Sequence, residues 1–243
     1  MNRRHAYGLR LYPALLSVIL LSLSVISCKS IRTAGYENGH RYVDLGLSVK
    51  WATMNVGAVA PQDTGYYYAW GETEPKDIYS WMTYRFRTDG ESEKDSVYLK
   101  YVTNGKYGTV DDKTTLEPED DVAHIRWGGR WRIPTSDDLE ELMDEDNCTW
   151  TWTTMKGVAG YKIQSRKKGY RRHYVFLPAV GLRYFPAVPE DYFSHAYWSG
   201  TLFDNNWGCV TLLLPSDYSW GGVLRFAGLP VRPVFSDKAS KLY

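Results

Sequence analysis

Side chains able to carry covalent or acid–base chemistry are few and dispersed in this chain. The five histidines, His5, His40, His124, His173 and His195, are too scattered for a metal motif of the H-E-x-x-H kind. Ser199 stands in "YWSGT" without the flanking glycines of a nucleophile elbow. Carboxylate pairs of the glycosidase type meet only in space, so the sequence leaves them open. Two oxygen-rich clusters invite a calcium reading. Glu117, Glu119, Asp120 and Asp121 sit where a helix N-terminus takes acids in any case. Asp204, Asn205 and Asn206 read as a turn, and of the two only this cluster stays open. No metal and no cofactor is assigned, and a non-catalytic protein is expected.

Binding chemistry is better represented. Aromatic residues make up 15% of the chain, with ten Trp and twenty Tyr, enough to suggest aromatic surface as well as core. Segment 183–207, "RYFPAVPEDYFSHAYWSGTLFDNNW", mixes Tyr, Phe and Trp with Asp and Asn. Flat rings and amides suit sugar rings and their hydroxyls. Tyr192, Asp204, Asn205, Asn206 and Trp207 are the candidate ligand-binding residues. The competing expectation is a large loop packed on its own aromatics.

The elements that must position these residues are short and punctuated by Gly, Pro and Asn, which reads as strand-rich. Strands are expected at 42–45 and 49–54 around Gly46, at "GYYYAW" (65–70), at 149–155, 158–165 and 173–178, and in "CVTLLL", "VLRF" and "LPVRPVF". The stretch 181–208 is expected as loops and short strands, and 77–112 as irregular. Pro118, three following acids and Gly128 bound a first helix over 118–127. Thr135-Ser136-Asp137-Asp138 resembles a capping box that starts a second helix over 136–146, with Leu139, Leu142 and Met143 on one face. A basic turn, "RKKGYRR", lies between the strands at 158–165 and 173–178. Strands, two helices and strands again predict an α+β fold rather than the alternating order of a parallel sheet.

The chain also carries an address. Asn2 to Arg10 holds three Arg and no acid, and Leu11 to Ser27 is nearly all apolar, the pattern of a secretory signal. Val25-Ile26-Ser27-Cys28 resembles a bacterial lipobox, which implies that Cys28 is lipidated and becomes the mature N-terminus. The expected partition is a signal over 1–27, a tether over 28–38, one domain over 39–236 and a tail over 237–243. The charge of +1 falls to about −2 once three signal arginines are removed, with signs mixed along the chain. No basic stripe of the nucleic-acid-binding kind is present. Cys148 and Cys209 read equally as a disulfide of an exported protein or as two small buried residues.

Taken in order, "YVDLGLSVKWATMNVGA", "GYYYAWGETEPK", "YGTVDDKTTLEPEDDVAHIRWGGRWRIPTSDDLEELM", "CTWTWTTMKGVAGY", "FLPAVGLR", "YWSG" and "GLPVRPV" resemble the Fibrobacter succinogenes major paralogous domain, found in exported and lipid-anchored proteins of Bacteroidota. The resemblance spans about Gly39 to Val234. It implies a C-type-lectin-like α+β fold, with mixed or antiparallel sheets, two short helices and long loops. The Trp-Arg-Ile-Pro-Thr element is also similar to one in formylglycine-generating enzymes. Those enzymes depend on Cys near their C-terminal core, and Gly221 to Tyr243 contains none, so that activity is not carried over. "WGGRWRIPTSDDLEELM" is therefore expected to be framework. The resulting expectation is a non-catalytic envelope protein of the outer membrane, held by lipid on Cys28, that binds carbohydrate. The alternatives are a structural or adhesive component binding envelope proteins and, after it, an enzyme of unknown type. The absence of acids just after Cys28 tilts the expectation to the periplasmic face.

Overall fold

In a computed structural model, residues 34–89, 97–184, 195–205, 207–214 and 217–237 are described, with backbone alone at 209–214, 217 and 220. These residues carry ten strands in three sheets and two α-helices. Every pairing between the named strands is antiparallel, so the body is mostly antiparallel sheet, with strands before and after the two helices.

The first sheet joins both ends of the described body. Its strands β1 (Ala34–Glu37), β2 (His40–Val43), β3 (Lys50–Ala52) and β10 (Val234–Phe235) lie in the order β1-β2-β3-β10. Asn38 and Gly39, both at positive φ, make the two-residue turn between β1 and β2, as an Asn-Gly pair favours. β1 falls within the stretch expected as tether, so the folded body begins at least as early as Ala34. The second sheet, β4 (Cys148–Met155), β5 (Val158–Ser165) and β6 (Tyr174–Pro178), contains a similar hairpin turn at Lys156-Gly157. Cys148 at the start of β4 is a buried free thiol, and burial pushes its pKa up to about 12.

The third sheet corrects the sequence reading most. β7 (Ala196–Asp204), β8 (Trp207–Leu214) and β9 (Asp217–Leu224) form a meander of long strands where loops and short strands were expected up to 208. Bulges in the β7–β8 pairing between Trp198 and Asp204 break the alternation that would have marked β7 as a strand. "GYYYAW" is extended but is not a regular strand, with one bridge from Tyr68 to Leu229. Tyr66 is exposed while Tyr68, Ala69 and Trp70 are all buried, so side chains do not alternate between two faces there.

The first expected helix is broken in two. Pro118–Asp120 makes a 3-10 turn, and α1 (Val122–Trp127) starts afresh with Asp121 as its cap. Asp121 is buried, and its carboxylate accepts from the backbone N–H of Ala123, His124 and Ile133 at 2.8, 3.0 and 2.8 Å. Burial raises its pKa to about 6 against these donors. Asp121→Asn keeps one acceptor but turns an N–H₂ towards a backbone donor. It is expected to cost about 1–3 kcal/mol in a urea titration, and an unchanged midpoint would show that the Ile133 bond is dispensable.

α2 (Ser136–Met143) carries the expected capping box. Thr135 Oγ1 accepts from the Asp138 N–H at 3.3 Å, and Asp138 accepts from the Thr135 N–H at 2.8 Å. Leu139 and Leu142 enter one hydrophobic cluster with Trp51, Ile163 and Tyr197. Trp131 and Ile133 enter another, with Trp70, Tyr101, Trp198 and Phe226. Arg132 between them exchanges backbone hydrogen bonds with Val234 and places its guanidinium 2.6 Å from Asp138. The "WRIPT" stretch thus packs into one cluster through Trp131 and Ile133 and bonds to the first sheet at Val234.

A tyrosine-lined cleft as candidate functional site

Of the residues singled out in the sequence, Cys28, Tyr192 and Asn206 lie outside the described residues. Asp204, Asn205 and Trp207 come together at the end of the β7–β8 hairpin, where Asp204 pairs with Trp207. Asn205 faces inward. Its side-chain oxygen accepts from the N–H of Thr103 and Asn104 at 2.8 and 3.1 Å, and its amide donates to Thr103 Oγ1 at 2.9 Å. Its backbone carbonyl accepts from Arg225 at 2.7 Å. Asn205 is therefore a strap between the hairpin and the loop at 103–104. Asp204 is exposed and Trp207 half-buried.

The acidic group Glu117, Glu119 and Asp120 does bring three carboxylates within 4.8 Å of one another. Lys100 Nζ already sits among them, at 2.5 Å from Glu117, 3.2 Å from Glu119 and 2.5 Å from Asp120. Burial alone would lower the Lys100 pKa, but the carboxylates outweigh it and hold the group above the usual lysine range. Lys100, and after it Lys113, lowers the Glu117 carboxyl to about 2. An ammonium thus fills the place a cation would take. Its position was not legible from the sequence, because Lys100 lies in the stretch read as irregular.

A cleft of about 410 Å³ opens elsewhere, between the turn at 64–67, the loop at 75–79 and Arg183. Its size lies within the range of small-molecule sites. Gly65 makes the turn at φ +72°, and a Cβ there would fall 2.4 Å from the Val56 carbonyl oxygen, so no larger residue fits without movement. Tyr79 forms a buried floor: its hydroxyl donates to the Tyr67 carbonyl at 2.6 Å and accepts from the Lys76 N–H at 3.2 Å. Lys76 Nζ donates to Glu72 and to the Thr83 carbonyl, both at 2.8 Å, which ties down the loop. Arg183 exchanges backbone hydrogen bonds with Gly228, each 2.8 Å, and its guanidinium lies 4.7 Å from the Tyr67 ring centroid. Tyr66 rests one side of its ring against Gly57, where an added Cβ would meet it at 2.4 Å, and stays 51% exposed.

Chemically, the cleft offers ring surface together with a guanidinium, a carboxylate on Asp77 and a hydroxyl on Thr64. Burial raises the pKa of both Tyr67 and Tyr79, so both phenols stay protonated at neutral pH and act as hydrogen-bonding groups. Arg183 belongs to the segment singled out in the sequence. The other lining residues do not, because three successive tyrosines read as an ordinary strand. Comparison of the chain with protein-family models, with curated proteins and with solved structures returns no match.

Proposed function

We propose that this chain is a lipid-anchored protein of the outer membrane, facing the periplasm. Its domain is of the Fibrobacter succinogenes major paralogous type with a C-type-lectin-like fold, and it binds carbohydrate without catalysis. The observation that carries the binding proposal is the cleft beside Arg183, where an exposed tyrosine ring, a stacked guanidinium and hydrogen-bonding groups converge. Sugars present just this combination of apolar ring faces and hydroxyl pairs. The lectin-like reading draws on the antiparallel sheets, the two short helices and the irregular stretches between them. Among the described residues, no helix is long and apolar enough to cross a membrane.

A glycan array probed with the protein and its Tyr66→Ala and Arg183→Gln variants tests the proposal. Each variant should bind its glycan about tenfold more weakly, the loss of roughly 1.4 kcal/mol of contact. Each should melt close to wild type, since both side chains are largely solvent-facing. No bound glycan, together with Tyr66-dependent capture of an envelope protein, would replace the carbohydrate reading with an adhesive one.

A further inference from the structure

The β5–β6 turn concentrates uncompensated positive charge. Arg166, Lys167, Lys168, Arg171 and Arg172 fall within seven residues. None forms an ion pair among the described residues, whereas Lys50, Lys76, Lys100, Lys113, Arg126, Arg130 and Arg132 all do. Like charges left together in this way repel one another, and an anion relieves the repulsion.

The turn is built rather than loose. The Ser165 N–H donates to the His173 carbonyl at 3.0 Å, and the His173 N–H to the Tyr170 carbonyl at 2.8 Å. Gln164 donates to the Arg171 carbonyl at 2.6 Å, and Arg166 to the Glu145 carbonyl at 2.8 Å. The Tyr170 ring packs on Gly46, where a Cβ would meet it at 2.6 Å. These bonds spend the backbone groups of the turn and leave Lys168 and Arg172 exposed.

Beside the turn lies a second cleft, of about 360 Å³, which Arg172 and His173 share with Arg41 of β2 and with Tyr42, Tyr174 and Phe176. Lys162 sits 4.8 Å from the centroid of the Tyr174 ring and adds a further cation at its rim. Two guanidiniums from separate elements and an open phenol ring converge on one concave space. A guanidinium recognises a carboxylate through two parallel hydrogen bonds, and a tyrosine face accepts a sugar ring.

We infer that this cleft binds an acidic saccharide, its carboxylates held by Arg41 and Arg172 and its neighbouring charges by the basic turn. The concavity favours a discrete sugar unit over a flat bilayer surface. The site shares no residue with the tyrosine cleft, so the two stand or fall separately.

Trigalacturonate titrated calorimetrically into the full mature protein at low salt is the test, with the uncharged galactose trimer and vesicles of anionic lipid as further arms. Trigalacturonate should bind, weaken as salt rises, and weaken by about tenfold or more in Arg172→Gln and in Arg41→Gln, as loss of a charged hydrogen bond predicts. Lys106→Gln, which removes the same charge elsewhere, should leave it unchanged. Absence of binding, equal binding of the uncharged trimer, or indifference to both arginine variants would overturn the inference. Arg172-dependent binding to anionic vesicles without binding of trigalacturonate would overturn it in favour of membrane docking.

Discussion

Replacing Arg225 by Met is expected to destabilise the protein by roughly 3–5 kcal/mol, because several buried acceptors lose their donor at once. The Arg225 side chain is fully buried. Its guanidinium donates to the carbonyls of Lys100, Tyr101 and Asn205 at 2.6, 3.1 and 2.7 Å, and to the Tyr84 hydroxyl at 3.3 Å. It lies 4.1 Å from the Tyr98 ring centroid and 5.1 Å from that of Trp70. No carboxylate pairs with it among the described residues, so carbonyl dipoles and ring faces stabilise the charge. One planar fork thereby joins the end of β9, the loop at 100–101 and the β7–β8 hairpin. Lysine presents its donors from a single point and cannot span the same carbonyls, so Arg225→Lys should recover little of the loss. A urea titration measures the size of the effect, and hydrogen exchange at 101–104 should show that loop opening first. A loss below about 1 kcal/mol in the Met variant would mean that water satisfies the three carbonyls instead.

Trp131→Ala should cost about 3–5 kcal/mol, the range for removing a large aromatic side chain from a packed core. Trp131 is fully buried and meets Trp127 and Phe235 edge to face, with centroids 5.1 and 4.9 Å apart. Its indole N–H donates to the Glu37 carbonyl at 2.8 Å. The side chain therefore holds the end of α1, strand β1 and strand β10 against one another. Gly128 and Gly129 before it sit at φ +63° and +59°, and a Cβ on Gly128 would come 2.9 Å from the Asn38 amide nitrogen. Trp131→Phe should cost less, because the ring remains and only volume and one hydrogen bond are lost. Equal losses in the two variants would place the effect in the Glu37 bond rather than in packing. Binding to either cleft should survive in whatever fraction of the variant stays folded, since Trp131 lines neither of them.

Features that depend on neighbours in the chain were readable from the sequence. Thr135 and Asp138 close their capping box, and Gly128 ends α1. Leu139 and Leu142 fall on the buried face that their spacing implies. Each of these outcomes is settled by backbone geometry or by atoms within about one helical turn. Strand-rich α+β character follows from the same local signals. Where tertiary contacts overrule them, the reading failed: β7 was hidden by its bulges, the first helix by the side chain of Asp121, and "GYYYAW" by burial on three successive residues.

Only the tertiary structure decided what the polar residues do. Asn205 looked like a ligand-facing amide, yet it is spent on Thr103 and Asn104. The acids at 117–121 were expected at a helix N-terminus, and Asp121 does cap α1, but only the structure shows Lys100 among Glu117, Glu119 and Asp120. Arg225 and Arg232, which lie in segments expected as strands, are both buried, and burial brings the Arg232 pKa down to about 10. The tyrosine cleft draws Arg183 towards residues 64–79, more than a hundred positions away. The free energy of a charge or an amide depends on which partners and how much water surround it. Those partners come from distant parts of the chain and meet only when the sheets and both core clusters have assembled.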